Sequence, residues 1–193
     1  MKKNNLKTDI IMLAIASFIG FCFEDIWMVF RHGILDNRNM FLPCLLGYGI
    51  FLIALYYILG TPNNLCNRIK LKRPYSTIIY YLICVVLVSI GELLLGLFVE
   101  KTGGFSYWDY STIPLHITKY TSIPTSLGFA FVITLFMDFV FIPLRKKVEI
   151  LAKKTPLPVV IIILALLLID FIVSFSIMYT HNGHNLLWII HFR

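Results

Sequence analysis

Charge is scarce in this chain, and cysteine is both scarce and scattered. Asp, Glu, Lys and Arg together make up 14% of the 193 residues, against about a quarter in ordinary soluble domains. The four cysteines, Cys22, Cys44, Cys66 and Cys84, form no C-x-x-C pair. That argues against a disulfide framework or a zinc site, and for buried, inert thiols. No G-x-x-x-x-G-K-[ST] phosphate loop occurs, so the chain has no means of its own to hydrolyse ATP in the usual way. No repeat or low-complexity segment is evident.

Apolar residues fill the sequence instead. The hydrophobic fraction is 59% and the mean hydropathy +0.82. One soluble core of this length cannot hide so much apolar surface, whereas lipid removes the difficulty. The expected fold is all-α, a single polytopic transmembrane bundle over residues 1–193 with the lipid bilayer as its first partner. The formal net charge of +7 does not imply a nucleic-acid partner. Lys and Arg sit in short clusters between apolar runs, as expected of loops facing anionic headgroups.

Five runs are long enough to span, at about 20 residues each: 10–30, 41–59, 75–99, 123–144 and 157–179. Backbone polar groups in hydrocarbon must be satisfied internally, so these are read as helices. Pro43, Gly47 and Gly49 mark the second as broken or re-entrant at its start. The N-terminal run is too long for a secretory signal and Glu24-Asp25 interrupts it, so it is read as an uncleaved span. Twelve basic residues (Lys2, Lys3 and Lys7, then clusters in 68–73 and 145–154) fall on one side. Five (Arg31, Arg38, Lys101, Lys119 and Arg193) fall on the other. The positive-inside rule then places the N-terminus in the cytoplasm and the C-terminus outside, as expected in a bacterial cytoplasmic membrane.

An ionisable residue within a span costs about 2.5–3.5 kcal/mol on insertion scales and marks a functional candidate. Glu24, Asp25, Glu92, Asp138 and Asp170 qualify. At a helical rise of about 1.5 Å per residue, Glu24 lies about 21 Å and Glu92 about 26 Å from the inner face of a core about 30 Å thick. Ser17, Gly20, Glu24, Trp27 and Arg31 share one helical face, and Ser89, Glu92 and Gly96 another. The two stripes are expected to meet in one outward cavity; the bland alternative has each carboxyl protonated, or paired structurally with a neighbour such as Arg31 or Arg38. Asp138 is expected to reach the cluster Arg145 to Lys147, and Asp170 has no evident partner. His181, His184 and His191 lack an accompanying carboxylate or thiol, so solvated tail residues are the reading preferred over a metal site. In the loop after the third span, Gly103-Gly104 end the helix and Tyr107, Trp108 and Tyr110 suit the headgroup interface. Asp109 there either orients the loop, receives a cation or pairs with Arg38.

Three motifs resemble the bacterial ABC-transporter type IV permease family. SFIGFCFED (17–25) is similar to its S-F-x-G-W-x-x-E, with Phe21 for Trp and Glu24 at the acid. NRNMFLPCLLGYG (37–49) is similar to an N-R-G segment followed by G-P and P-x-Y-G, with Asn39 for Gly and Leu46 for Pro. GELLLGLFVEKTGGFSYWDYS (91–111) matches at Glu92, Gly96, Glu100, Trp108, Asp109, Tyr110 and Ser111. The resemblance covers 17–144 and implies a membrane-embedded transport component without cofactor, any ATP being handled by a separate subunit docked on 68–73 and 145–154. A second copy of the chain is a further candidate partner. Glu24, Glu92, Asn37, Arg38, Trp108, Asp109, Tyr110 and Ser111 are the candidate ligand residues; Ser17, Gly20, Trp27, Ser89, Gly96 and Glu100 support them, and none is assigned to catalysis. The rivals are a noncatalytic scaffold or immunity-type partner, and an intramembrane lipid or isoprenoid enzyme. The enzyme reading lacks a nucleophile with a base at fixed spacing.

Overall fold

A computed structural model describes residues 3–184 and 186–192, with side chains from residue 6 onward. Lys2, the Lys3 side chain and Arg193, counted above for orientation, lie outside the described residues. Five helical stretches are long and apolar enough to cross a membrane, covering 6–32, 46–69, 73–103, 123–154 and 157–180. The chain is an all-α, multi-pass membrane protein.

The pattern of burial is the reverse of a soluble helix. On α4 (Arg73–Gly103) the buried positions include Ser76, Tyr80, Cys84 and Gly96, while Ile78, Leu82, Val86 and Leu94 face outward. On α7 (Leu157–Thr180) Asp170 and Ser174 are buried and Ile161, Ile162, Ile169 and Ile172 are exposed. Small and polar side chains let helices approach and hydrogen-bond, and branched aliphatics meet lipid.

Two compact units divide the chain. The first comprises Met1–Leu55 and Leu144–Arg193 and the second Tyr56–Pro143, so the borders fall inside α2 (Leu46–Ile58) and α6 (Phe141–Lys154). In the first unit α1 (Lys3–His32) packs against α7. After α1, β1 (Ile34–Asp36) pairs antiparallel with β4 (Ile189–His191). No sequence pattern marked these strands; His191, expected as a solvated tail residue, stands opposite Ile34 in the pair.

In the second unit α3 (Pro62–Ile69) and α5 (Ile123–Leu135) pack on α4. Thr61 and Asn64 form a reciprocal cap at the start of α3, and Ser122 caps α5 through the Thr125 amide. Gly104, at φ +73°, ends α4 where the sequence placed the break. Between α4 and α5 a short ladder joins β2 (His116–Thr118) to β3 (Thr121–Ser122). A π-helical turn over Phe136–Val140 links α5 to α6.

Three expectations need correction. The helix of the second span begins at Leu46 rather than 41, because the amides of Phe41, Leu42 and Leu45 go to Asp170 and Ser17 and Pro43 has none; the rod breaks again at Gly60, whose φ is +78°. The fourth span does not stop at 144, since α6 carries the basic cluster 145–154 as helix rather than loop. Asp138 pairs with Arg73 at 3.2 Å, while Arg145 reaches Asp9 on α1 at 2.6 Å. Asp138 therefore sits on the second unit's own cation.

Candidate functional site

In the first unit the site grows from a glycine. A Cβ on Gly20 would lie 2.4 Å from Cγ of Tyr48, so only glycine lets the near end of that side chain come so close to α1. Tyr48 is held there by the chain before it. The Leu45 amide donates to the Ser17 carbonyl (3.0 Å), and the Tyr48 amide donates to Leu45 (3.0 Å). One helical turn beyond Gly20, the Glu24 carboxylate accepts the Tyr48 hydroxyl. Among the described residues Glu24 has no ion pair within 4.0 Å, and the Arg38 guanidinium acts on it through charge alone.

Asp25, the next residue, faces Arg38 Nε at 3.6 Å. Arg38 itself grips Asp36, its Nε at 2.8 Å from Oδ1 and its Nη2 on Oδ2, and its amide donates to Oδ1 at 2.7 Å. This two-pronged geometry is the strong form of a guanidinium–carboxylate pair. The turn that makes it possible has Arg38 at φ +49° and Asn39 at φ +59°. Asparagine is among the few side chains that tolerate this region, which explains how Asn39 replaces glycine in the motif. Asn37 donates to Met40 O (2.9 Å) and accepts the Leu187 amide (3.2 Å), tying the turn to the C-terminal segment.

Asp170 does have a partner, which no helical pattern shows. Its Oδ1 accepts the amides of Phe41 and Leu42, each at 3.0 Å, with Ser174 Oγ at 3.5 Å. A non-helical stretch at the depth of a mid-span aspartate would otherwise strand its amides.

The second unit repeats the glycine arrangement. A Cβ on Gly96 would lie 2.3 Å from Cγ of Tyr120. One turn on, the Glu100 carboxylate pairs with Lys119 Nζ, while the Tyr120 hydroxyl shares a hydrogen bond with Ser106 Oγ at 3.3 Å. The counterpart of Glu24 in local geometry is thus Glu100, 76 residues later. Glu92 takes a different pair of hydroxyls, Tyr110 (3.3 Å) and Ser126 (3.4 Å). Each member of the W-D-Y-S run has a job in the loop. Trp108 Nε1 donates to Tyr120 O (3.0 Å) and its ring meets Tyr120 edge-on at 5.9 Å. Asp109 accepts the Ser111 amide at 2.7 Å, and the Tyr110 amide donates to Lys119 O at 2.7 Å. Asp109 thus ties down the turn at Ser111 within its own loop. The Ser111 hydroxyl and then its amide hold the Asp109 carboxyl below its ordinary range, and Glu100 holds Lys119 above the usual lysine value.

The structure thus brings Ser17, Gly20 and Glu24 together with Asn37 and Arg38 in the first unit. It gathers Ser89, Glu92, Gly96, Glu100 and residues 108–111 in the second, with the Ser89 carbonyl accepting the Thr121 hydroxyl at 3.3 Å. Trp27 shares the Glu24 face but is largely exposed. Sequence reasoning missed Tyr48, Asp36, Tyr120 and Ser126 as partners. The recurring G-x-x-x-E at 20–24 and 96–100 was the available signal for two of them.

Residues 11–175 match the family described as "Putative ABC-transporter type IV". The chain belongs to this family. The match runs past the resembling motifs into α7 and takes in Asp170 and Ser174, so the amide-capping carboxylate lies within the family region. As a type IV family member with five apolar spans, the chain is a membrane transport-related protein. No curated protein and no solved structure matches it.

Proposed function

We propose that this type IV family member is the membrane-embedded component of a transport system, in which Glu24 and Glu92 take a cationic group or a proton. The observation that carries the reading is how the carboxylates differ in their partners. Asp9, Asp25, Asp36 and Asp138 are each matched to a guanidinium. Glu24 instead meets a hydroxyl, and hydroxyls also contact both oxygens of Glu92. A carboxylate offers about four lone-pair sites, so a single phenol leaves capacity for a passing charge.

In this reading the N-terminus is cytoplasmic and the membrane is the bacterial cytoplasmic one. A separate ATPase docks on the basic segments 68–73 and 145–154. Lys146, Lys147, Lys153 and Lys154 are exposed on α6 and available for it.

The test is to tag the chain, extract it gently from native membranes and identify what copurifies. An ATP-hydrolysing subunit is expected. Glu24→Gln and Glu92→Gln should preserve that assembly and lower its ATP turnover by about tenfold or more, the scale of losing one charge-assisted contact. Unchanged turnover in both variants would retire the carboxylate role. Absence of any ATPase would leave the scaffold reading in its place.

A further inference from the structure

Beyond α7 the tail is apolar again. Leu186, Leu187, Trp188, Ile189, Ile190 and Phe192 are all exposed. Neighbours along a strand point to opposite faces, so both faces of β4 are apolar and open. One edge of β4 is taken by β1 and the other is free. Finished folds blunt a free edge with lysine, proline or a bulge. Residues 186–192 contain neither lysine nor proline, and no bulge interrupts the pairing with β1. The register shows which backbone groups face outward. Phe192 donates to the Gly33 carbonyl at 2.8 Å, so this pair, next in line after Ile34 and His191, is of the hydrogen-bonded kind. Bonded and non-bonded pairs alternate in an antiparallel ladder. Ile190, opposite Leu35, therefore turns its N–H and C=O towards β1, and Ile189 and His191 turn theirs to the free edge. Among the described residues nothing pairs with them there.

This edge also lies at membrane depth. The chain reverses at Gly33, φ +66°, and β1 packs back along α1, where Arg38 bridges Asp36 to Asp25. By the helical rise, Asp25 is about 7–8 Å inside the core boundary that α1 approaches at its C-terminal end. At that depth lipid covers apolar side chains but strands backbone groups. An added strand covers the side chains and satisfies the groups. We infer that the free edge of β4 takes up an extended segment of another polypeptide, apolar on both faces, so that β4 becomes the central strand of the sheet. A second copy of the chain does not fit the edge. It inserts in the same sense and presents β4 pointing the same way, whereas like edges related by a two-fold axis pair antiparallel. The inference concerns a polypeptide partner and stands or falls apart from the carboxylate reading.

The probe is a free peptide copying residues 186–192, with two lysines for solubility and a fluorophore at its N-terminus. Released from the sense that the membrane imposes, it can run antiparallel to β4, its copies of Ile189 and His191 opposite His191 and Ile189 of the chain. Fluorescence anisotropy is read as the purified full-length chain is titrated in detergent, with empty micelles as the blank. Saturable binding above the blank is expected. Ile189→Pro removes an outward N–H and leaves the bonds of Ile190 and Phe192 to β1 in place. It should weaken the peptide by about tenfold or more. The same peptide N-methylated throughout the copied run keeps its apolar side chains but offers no N–H from either edge, and should bind no better than the blank. That comparison uses the wild-type chain alone, so a misfolded variant cannot decide it. No saturable binding to the wild-type chain, equal binding of the methylated peptide (partition onto apolar surface only), or binding indifferent to Ile189→Pro would each overturn the inference.

Discussion

Single side chains in this protein act mainly by giving way to, or holding, a neighbouring ring or backbone. Gly20 and Gly96 give way: Gly20→Ala and Gly96→Ala each place a methyl inside a tyrosine's Cβ–Cγ region. The near end of a ring cannot swing aside, so each should cost about 1–3 kcal/mol. Thermal unfolding in detergent would register it as a lowered Tm. Asp170 holds: it ties down two amides of the stretch before α2. Asp170→Leu should strand both and cost about 1–3 kcal/mol or more, with faster maleimide labelling of Cys44 in a variant that keeps only that cysteine. Labelling as slow as wild type would show that the stretch is held elsewhere. The acids themselves were legible as costly intrusions into apolar runs. Their partners were not, because Tyr48 lies 24 residues from Glu24 and the Asp170 partners 128 residues away or more. No periodicity carries such distances.

Among the elements, the long helices were readable because about 20 apolar residues in a row leave few alternatives. Residues 34–45 and the tail strand were not. Their structure comes from a tight turn held by Asp36 and Arg38, and from the Asn37–Leu187 bond and the β1–β4 ladder, which need the C-terminal tail in place. Asn39 tests the turn: Asn39→Gly should be tolerated, whereas Asn39→Val forces a branched residue to φ +59° and should cost about 1–2 kcal/mol. The loop between α4 and α5 has a defined pH range. Lys119, raised in the folded chain, contributes stability that is complete below its ordinary value of 10.5 and is lost as pH rises through the higher folded value. Asp109, lowered, contributes above its ordinary 3.8, and that contribution is lost as pH falls through the lower folded value. Trp108 emission, read in a Trp27→Phe, Trp188→Phe background, should therefore shift outside these limits. Emission that stays level beyond both would contradict the loop's hydrogen-bond scheme.

At the scale of the whole molecule, the five-span count and the charge asymmetry make one statement about direction. A tag after residue 193 should be protease-accessible on intact spheroplasts and one before residue 1 protected. The reverse pattern would put the proposed ATPase surface on the wrong side of the membrane. The family was readable from three short motifs because each places a glycine, an acid or an aromatic at a contact within its own unit. The division into two units was not, since it depends on which distant stretches pack together.

That division has a consequence for how the protein is made. Everything in the unit Tyr56–Pro143 is contiguous, so it can assemble while translation continues. The other unit needs α7 and β4, which are made long after α1, to cap the amides of Phe41 and Leu42 and to seal the edge of β1. At about 5–20 residues per second, the nascent first helix waits on the order of 10 s for them with its acidic end open.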